Sequence, residues 1–419
     1  MLSRLLYQLF LNTYYAAVSI AAFFNAKARL WKSGRRHWAG RLRAGMEPLR
    51  HRKVLWMHCA SLGEFEQGRP VLEAVRQAYP DVAIVLTFFS PSGYEVRKDY
   101  EGADLVAYLP LDGRSNARTF LDTVNPSLAI FIKYEFWYYY LTGLQQRHIP
   151  TLLVAGLFRQ EQPFFKPWGS LHRAMLRCFT LVMVQNKTSE TLLNGIGINQ
   201  VEIGGDTRFD RVITIASQLV PVPQVTAFTA GQEQILVAGS TWPSDEVLLS
   251  NWMNRHPDWK LIIAPHEIHE AHLHAIEKQF EGSVRFSQWN TAAPAASRVL
   301  IIDNMGMLSR LYKYGKVAYV GGGFEKGGIH NMLEASVYGI PVVIGPVYRK
   351  FHEAVELVTG EAAFTIADEA GWAAVMEALQ QGDLYEQTCR NAKAYTFRHA
   401  GATRRVMDYI AVNRLLSTL

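Results

Sequence analysis

The sequence is short of cysteine, and that shortage excludes two ways of holding a fold together. Cys59, Cys178 and Cys389 are widely separated, odd in number and outside any C-x-x-C spacing. Neither a disulfide framework nor a cysteine zinc site is expected from them, and a reducing, cytoplasmic compartment fits best. Acids are missing from residues 27 to 53, where ten Lys or Arg face Glu47 alone. That window is +9 in a chain of net charge +6, so the remainder is −3. Formal charge is missing altogether from residues 5 to 24, LLYQLFLNTYYAAVSIAAFF. A nucleic-acid recognition motif and an interleaved aromatic platform are also missing, so the basic window is not read as a nucleic-acid site.

What is there is an ordinary globular composition. With 49% hydrophobic and 19% charged residues over 419 positions, the chain is long enough for two domains with full cores. The uncharged stretch at 5–24 has the length to span a hydrocarbon core, and its tyrosines suit an interface. Basic residues after an apolar helix hold that side in the cytoplasm and attract anionic head groups, at about 1 kcal/mol per residue near the surface. Residues 1–45 are therefore expected to form a membrane anchor with a basic juxtamembrane segment, leaving the body of the chain in the cytoplasm. A hydrophobic first helix packed on the body is the other reading.

Past residue 53, short apolar runs alternate with helical patterns. The runs are 54–58, 83–88, 105–108, 128–132, 151–155 and 181–185, then 234–238, 260–264, 299–302, 317–320 and 342–344. Continuous apolar strands separated by helices imply parallel sheets covered on both faces. The fold class is α/β, with two doubly wound Rossmann-like domains at 46–216 and 233–419 facing a central cleft. Residues 217–232, with Pro221, Pro223 and no periodicity, are the expected linker. Ligands in such sheets bind beyond the carboxyl ends of the strands.

Two segments carry chemistry. In CASLGEFEQGRP, residues 59–70, an apolar strand turns through Gly63 into a helix, a seat that usually suits an anion. Here it already holds the carboxylate of Glu64. In VAYVGGGFEKGGIHNMLEASVYGIPVVIGP, residues 317–346, a strand runs into a Gly-rich loop and then a helix carrying Asn331 and Glu334. Glycines let the backbone approach a ligand, and two polar residues one helical turn apart can face one ribose.

The segments SLGE at 61–64, GDTRFD at 205–210, AGST at 238–241, NMG at 304–306 and GGIHNMLE at 327–334 occur in the order found in the 3-deoxy-D-manno-octulosonic acid (Kdo) transferases of Gram-negative bacteria. The sequence resembles that family from the N-terminal stretch to about residue 360. The resemblance implies a two-domain GT-B fold and transfer of Kdo from CMP-Kdo to a lipid A precursor at the inner membrane, among inner-membrane lipids. It implies no separate cofactor, no metal and no obligate protein partner.

By that resemblance Glu64 is the general base, with an N-terminal cap as the alternative role. Arg208 stands where the family has a Lys that stabilises the leaving group. Donor contacts fall on Pro265 and His266, on Met305, Gly306 and Met307, and on Asn331, Met332, Leu333 and Glu334. Met305 and Leu333 also fit a core role. The sequence departs from the family at KYEFW, where Lys133 replaces the first of two acids and Glu135 keeps the second. Met307 stands in place of an acid and His266 in place of an Arg. His266, His269, His272 and His274 complete no recognisable ligand spacing with Glu267 and Glu270. Two other readings stay open, another GT-B sugar-nucleotide enzyme such as an epimerase or lipid glycosyltransferase, and a non-catalytic membrane adaptor.

Overall fold

The computed structural model describes residues 2–218, 220–289 and 297–417. The chain forms two compact units, residues Met1–Arg211 with Ala400–Leu419, and residues Val212–His399. The division falls inside the helix Thr207–Ser217 rather than in the expected 217–232 linker, and residues 223–229 of that linker form a helix of their own. The C-terminal stretch expected in the second domain returns to the first. There Val406, Ile410 and Leu416 are buried in the core, and Asp210 accepts hydrogen bonds from the backbone of Gly401 and Thr403 (both 2.6 Å).

The first unit holds β1 Val54–Cys59, β2 Ala83–Phe88, β3 Leu105–Tyr108, β4 Leu128–Ile132, β5 Thr151–Gly156, β6 Leu181–Val184 and β7 Val201–Ile203. Every pairing is parallel, in the order β3-β2-β1-β4-β5-β6-β7. Successive side chains of a strand point to opposite faces. Accordingly Val54 and Trp56 of β1 enter one core and Leu55, Met57 and Cys59 the other, so both faces are covered. The chain leaves β1 toward β2 and returns to β1's other side as β4. The crevice beyond the carboxyl ends of β1 and β4 is thus the switch point where such sheets bind ligands.

The second unit holds β8 Ile235–Thr241, β9 Lys260–Pro265, β10 Val284–Arg285, β11 Val299–Ile301, β12 Val317–Val320, β13 Val342–Ile344 and β14 Ala363–Thr365. They are also all parallel, in the order β10-β11-β9-β8-β12-β13-β14. Its switch point lies at β8, between β9 and β12.

Residues Leu2–Ala21 form one helix, and among the described residues no helix is long and apolar enough to cross a membrane. The stretch expected as an anchor is docked on the first unit by one side. Tyr7 donates to Asp112 (2.7 Å), whose carboxylate also accepts the backbone N–H groups of Tyr139 and Tyr140 (3.0 and 3.2 Å). Leu11 is buried, and Tyr14 packs on Trp31 and Phe89. Part of the basic window is structural too. Arg35 lies over the Trp31 ring and donates to the carbonyls of Phe89 and Leu109 (2.7 and 2.9 Å), and Arg52 pairs with Asp104 (2.8 Å).

Candidate functional site

Glu64 sits in the first turn of the helix Leu62–Ala78, directly after β1. Ser61, at the N-cap, places no side-chain oxygen on the helix start, and the Glu64 carboxylate turns back to the backbone just before the helix. It accepts the Ala60 N–H at 2.5 Å. The helix start alone would keep this carboxylate ionised, but the surroundings reverse that expectation. Burial first, then the charge of Glu135, push the Glu64 carboxyl up to about 7, against the Ala60 N–H, the Lys133 charge and the Ser61 N–H, which pull it down. The result is a carboxyl that changes charge near neutrality.

Glu135 is the floor of this site. Its Oε2 accepts from the Trp137 indole N–H (2.7 Å) and lies 2.8 Å from the Nε2 of His58, a fully buried residue of β1. The other His58 nitrogen, Nδ1, lies 2.9 Å from the Thr87 hydroxyl and 3.1 Å from the Thr87 carbonyl. Sequence reasoning passed over His58. Its signal was a lone polar residue inside the apolar strand VLWMHC, which a buried strand tolerates only with partners.

Lys133 follows β4 with φ +64°, its N–H donating to the Val154 carbonyl (2.9 Å) and its Nζ 5.4 Å from the Tyr134 ring centre. A non-glycine residue held in the left-handed region marks backbone constrained by its surroundings. Arg208 is brought to the same end of the sheet by its helix start, because Thr207 donates to the Gln67 carbonyl and Gln67 donates to Asp206 (2.8 Å). The Arg208 guanidinium grips Asp206 through Nε and Nη2 (2.8 and 2.7 Å). Burial works to raise the Asp206 carboxyl, but the Arg208 charge and hydrogen bonds prevail and hold it below the ordinary range. Burial raises the Tyr134 hydroxyl, Arg159 and Arg208 lower it and Glu64 raises it, so these groups share one neighbourhood. Glu66 instead faces an arginine cluster, with Arg97 at 2.8 Å and Arg211 at 3.4 Å.

In the second unit the sequence-derived donor residues gather around the end of β8. Asn331 donates to Glu334 (3.1 Å), and Glu334 acts on the buried Tyr312, whose hydroxyl lies against Gly239. Leu308, just after Met307, also lies against Gly239, and His266 donates its N–H to the Thr241 carbonyl (3.0 Å). Pro265, Met332 and Leu333 are buried. Met305 is 79% exposed, which excludes its core role and leaves Leu333 in one. Gly306 adopts φ +91°, a conformation that suits glycine. The buried Glu246 joins Thr241 (3.0 Å) to His272 (3.0 Å), which explains His272 without a metal ligand role. Among the described residues no group of three or more His, Cys, Asp or Glu side chains is placed to hold a metal ion.

Residues 36–211 match the family described as 3-Deoxy-D-manno-octulosonic-acid transferase (kdotransferase). A 3-deoxy-D-manno-octulosonic acid transferase of Aquifex aeolicus is 28% identical over 325 residues, 75% of this chain and 83% of that one. The chain is a glycosyltransferase related to the Kdo transferases. The corresponding protein of Haemophilus influenzae is 25% identical over 369 residues, 85% of this chain and 86% of that one. Among solved structures, the UDP-GlcNAc 2-epimerase from Neisseria meningitidis bound to UDP-GlcNAc aligns with a TM-score of 0.61 at 14% identity, over 86% of this chain and 100% of that one. At that identity the likeness shows the fold, a GT-B-like pair of parallel α/β domains.

Proposed function

We propose that this Kdo-transferase relative moves Kdo from CMP-Kdo to a lipid A precursor such as lipid IVA, with inversion and without a metal, in lipopolysaccharide core biosynthesis. Sugar transfer with inversion needs a base for the acceptor hydroxyl proton and separate stabilisation of the leaving phosphate. The observation that carries the reading is the Glu64 carboxyl, raised to about 7 in a turn built to present it. A base with a pKa near the working pH combines the right protonation state with a useful driving force. Lys133 tempers Glu64, and Arg208, fixed by Asp206, supplies positive charge for an anionic group. Asn331 and Glu334 serve the ribose of the donor, and backbone of the 305–307 and 331–334 segments serves its base and phosphate.

The N-terminal helix supports a place at the inner membrane, on the cytoplasmic face. Leu5, Leu6, Leu9 and Phe10, on a helix whose opposite side is docked, and Phe23 and Phe24, in the turn that follows it, are each 57–88% exposed. An apolar face beside basic residues suits a helix lying in the lipid interface. The test of the function is direct. Purified protein with CMP-Kdo and lipid IVA should release CMP and yield an acceptor heavier by one or more Kdo units. Absence of product with CMP-Kdo, together with turnover of UDP-GlcNAc, would replace the transferase reading with that of an epimerase.

A further inference from the structure

Three aromatic rings from the ends of three adjacent strands are packed into one stack in the second unit. Trp242 follows β8, His266 follows β9, and His330 lies beyond the glycine loop that follows β12. The His266 ring lies 4.9 Å from the Trp242 ring at 27° and 4.2 Å from the His330 ring at 25°. The loops of Trp242 and His330 are clamped by one buried carboxylate. Asp245 accepts from the N–H of Trp242 (2.9 Å), the N–H of Gly322 (3.0 Å) and the hydroxyl of Tyr319 (2.6 Å). Gly322, at φ +87°, has no room for a side chain, since a Cβ would lie 2.7 Å from the Gly328 carbonyl oxygen. The stack is therefore a built feature of the switch point.

Hydrogen bonding assigns the protons. The Trp242 Nε1–H points at the His330 Nε2 (3.3 Å), and an indole can only donate, so this nitrogen carries a lone pair and the His330 ring is neutral. Burial first and the neighbouring His266 second lower the His330 pKa to about 4, which agrees. His266 itself is exposed, with one neutral imidazole and one indole face against it. A proton on His266 thus meets no like charge in the stack and gains the attraction of the indole π-face. The acids nearby are engaged elsewhere: Asp245 as above, Glu246 with Thr241 and His272, Glu325 with Ser244 (3.2 Å), and Glu267 with His269 (3.7 Å). Lys350, against Gly328, reaches the Lys326 carbonyl.

We propose that His266 is a proton-linked contact for the donor phosphate, so that the protein takes up a proton on this imidazole when the nucleotide binds. The inference rests on the donor-site reading of the second unit and adds a chemical consequence to it. An Arg carries its charge at every working pH, whereas a His exchanges its proton in the physiological range, so that donor affinity through this contact weakens as pH rises. Calorimetric titration of the whole protein with CMP at pH 7.5, in buffers of different ionisation heat, reads the proton directly. Wild type should show a proton uptake per CMP in excess of that of either variant. His266→Arg should bind at least as tightly at pH 8 with that excess gone, and His266→Gln should lose both the excess and about tenfold in affinity at pH 6.5. The CMP phosphate titrates in this range as well, so the quantity compared is wild type minus variant. Uptake that is the same in wild type and in both variants overturns the inference and leaves the donor site standing. No CMP binding by wild type at any pH overturns both.

Discussion

Replacing Glu64 with Gln should make the protein more stable at pH 8, and the size of the gain follows from the site. In the folded protein the carboxyl titrates at about 7, whereas its ordinary value is 4.5. As pH rises between those values the unfolded chain releases this proton and the folded chain keeps it. Stability contributed by the neutral form is therefore full below about 4.5 and is lost progressively up to about 7. At 1.36 kcal/mol per pH unit the loss reaches about 3 kcal/mol, and it stays at that level above pH 7. Glutamine keeps an oxygen for the Ala60 N–H and never ionises, so it escapes the loss. Glu64→Gln should exceed wild type by about 2–3 kcal/mol at pH 8 and match it within about 0.5 kcal/mol at pH 4.5. Hydrogen exchange of peptides covering residues 54–78, corrected for intrinsic rates, reads the opening free energy of β1 and its helix locally. A variant less protected than wild type at pH 8 would mean that the carboxylate is a stabilising cap, and the reasoning fails.

Other outcomes follow from separate parts of the structure. Glu334→Ala should weaken CMP binding by about 1.5–3 kcal/mol, the scale of a hydrogen bond involving a charged group, in calorimetric titration; unchanged affinity would remove Glu334 from the donor site. Changing Leu6, Phe10, Phe23 and Phe24 together to Ser should lower recovery with anionic vesicles at least tenfold while moving the melting temperature by about 2 °C or less, since these side chains are exposed. Equal sedimentation with the vesicles would end the interfacial role of this helix. The base must be ionised to act, so kcat/KM for the acceptor should fall about tenfold per pH unit below about 7 and flatten above it. A flat profile from pH 5.5 to 8 would contradict a base of this pKa.

The central strands were legible because burial on both faces writes them as unbroken apolar runs. VLWMH, AIVLTF and VAYV are all strand in the structure. The missed strands lie at or near sheet edges and are two or three residues long. Val201–Ile203 carries Glu202, Val284–Arg285 ends in an arginine, and Ala363–Thr365 grows steadily more exposed. Half-covered strands of that length leave no run to read. The return of residues 400–419 was hidden for a different reason. An amphipathic pattern predicts that Val406 and Ile410 are buried but does not say in which core. The N-terminal stretch was uncharged, and length alone suggested a span. Tyr7 and Leu11 turn inward while Leu6 and Phe10 turn outward, a division set by the position of Asp112, far along the chain. Among the functional candidates, Glu64 in the first unit and the Asn331–Glu334 pair in the second stood out as polar groups beside glycine turns. His58 and Trp137 gained their meaning only when β4 was placed beside β1.

The measurement that tests the general-base claim most directly is turnover of Glu64→Gln at saturating CMP-Kdo and lipid acceptor, with CMP affinity measured in parallel. The amide preserves size and most hydrogen bonding but takes no proton at neutral pH. The expected result is a fall in kcat of about 10²–10⁴-fold with CMP affinity nearly unchanged. A variant that keeps about a third or more of the wild-type turnover would exclude Glu64 as the base, and the carboxylate would then belong to the turn alone.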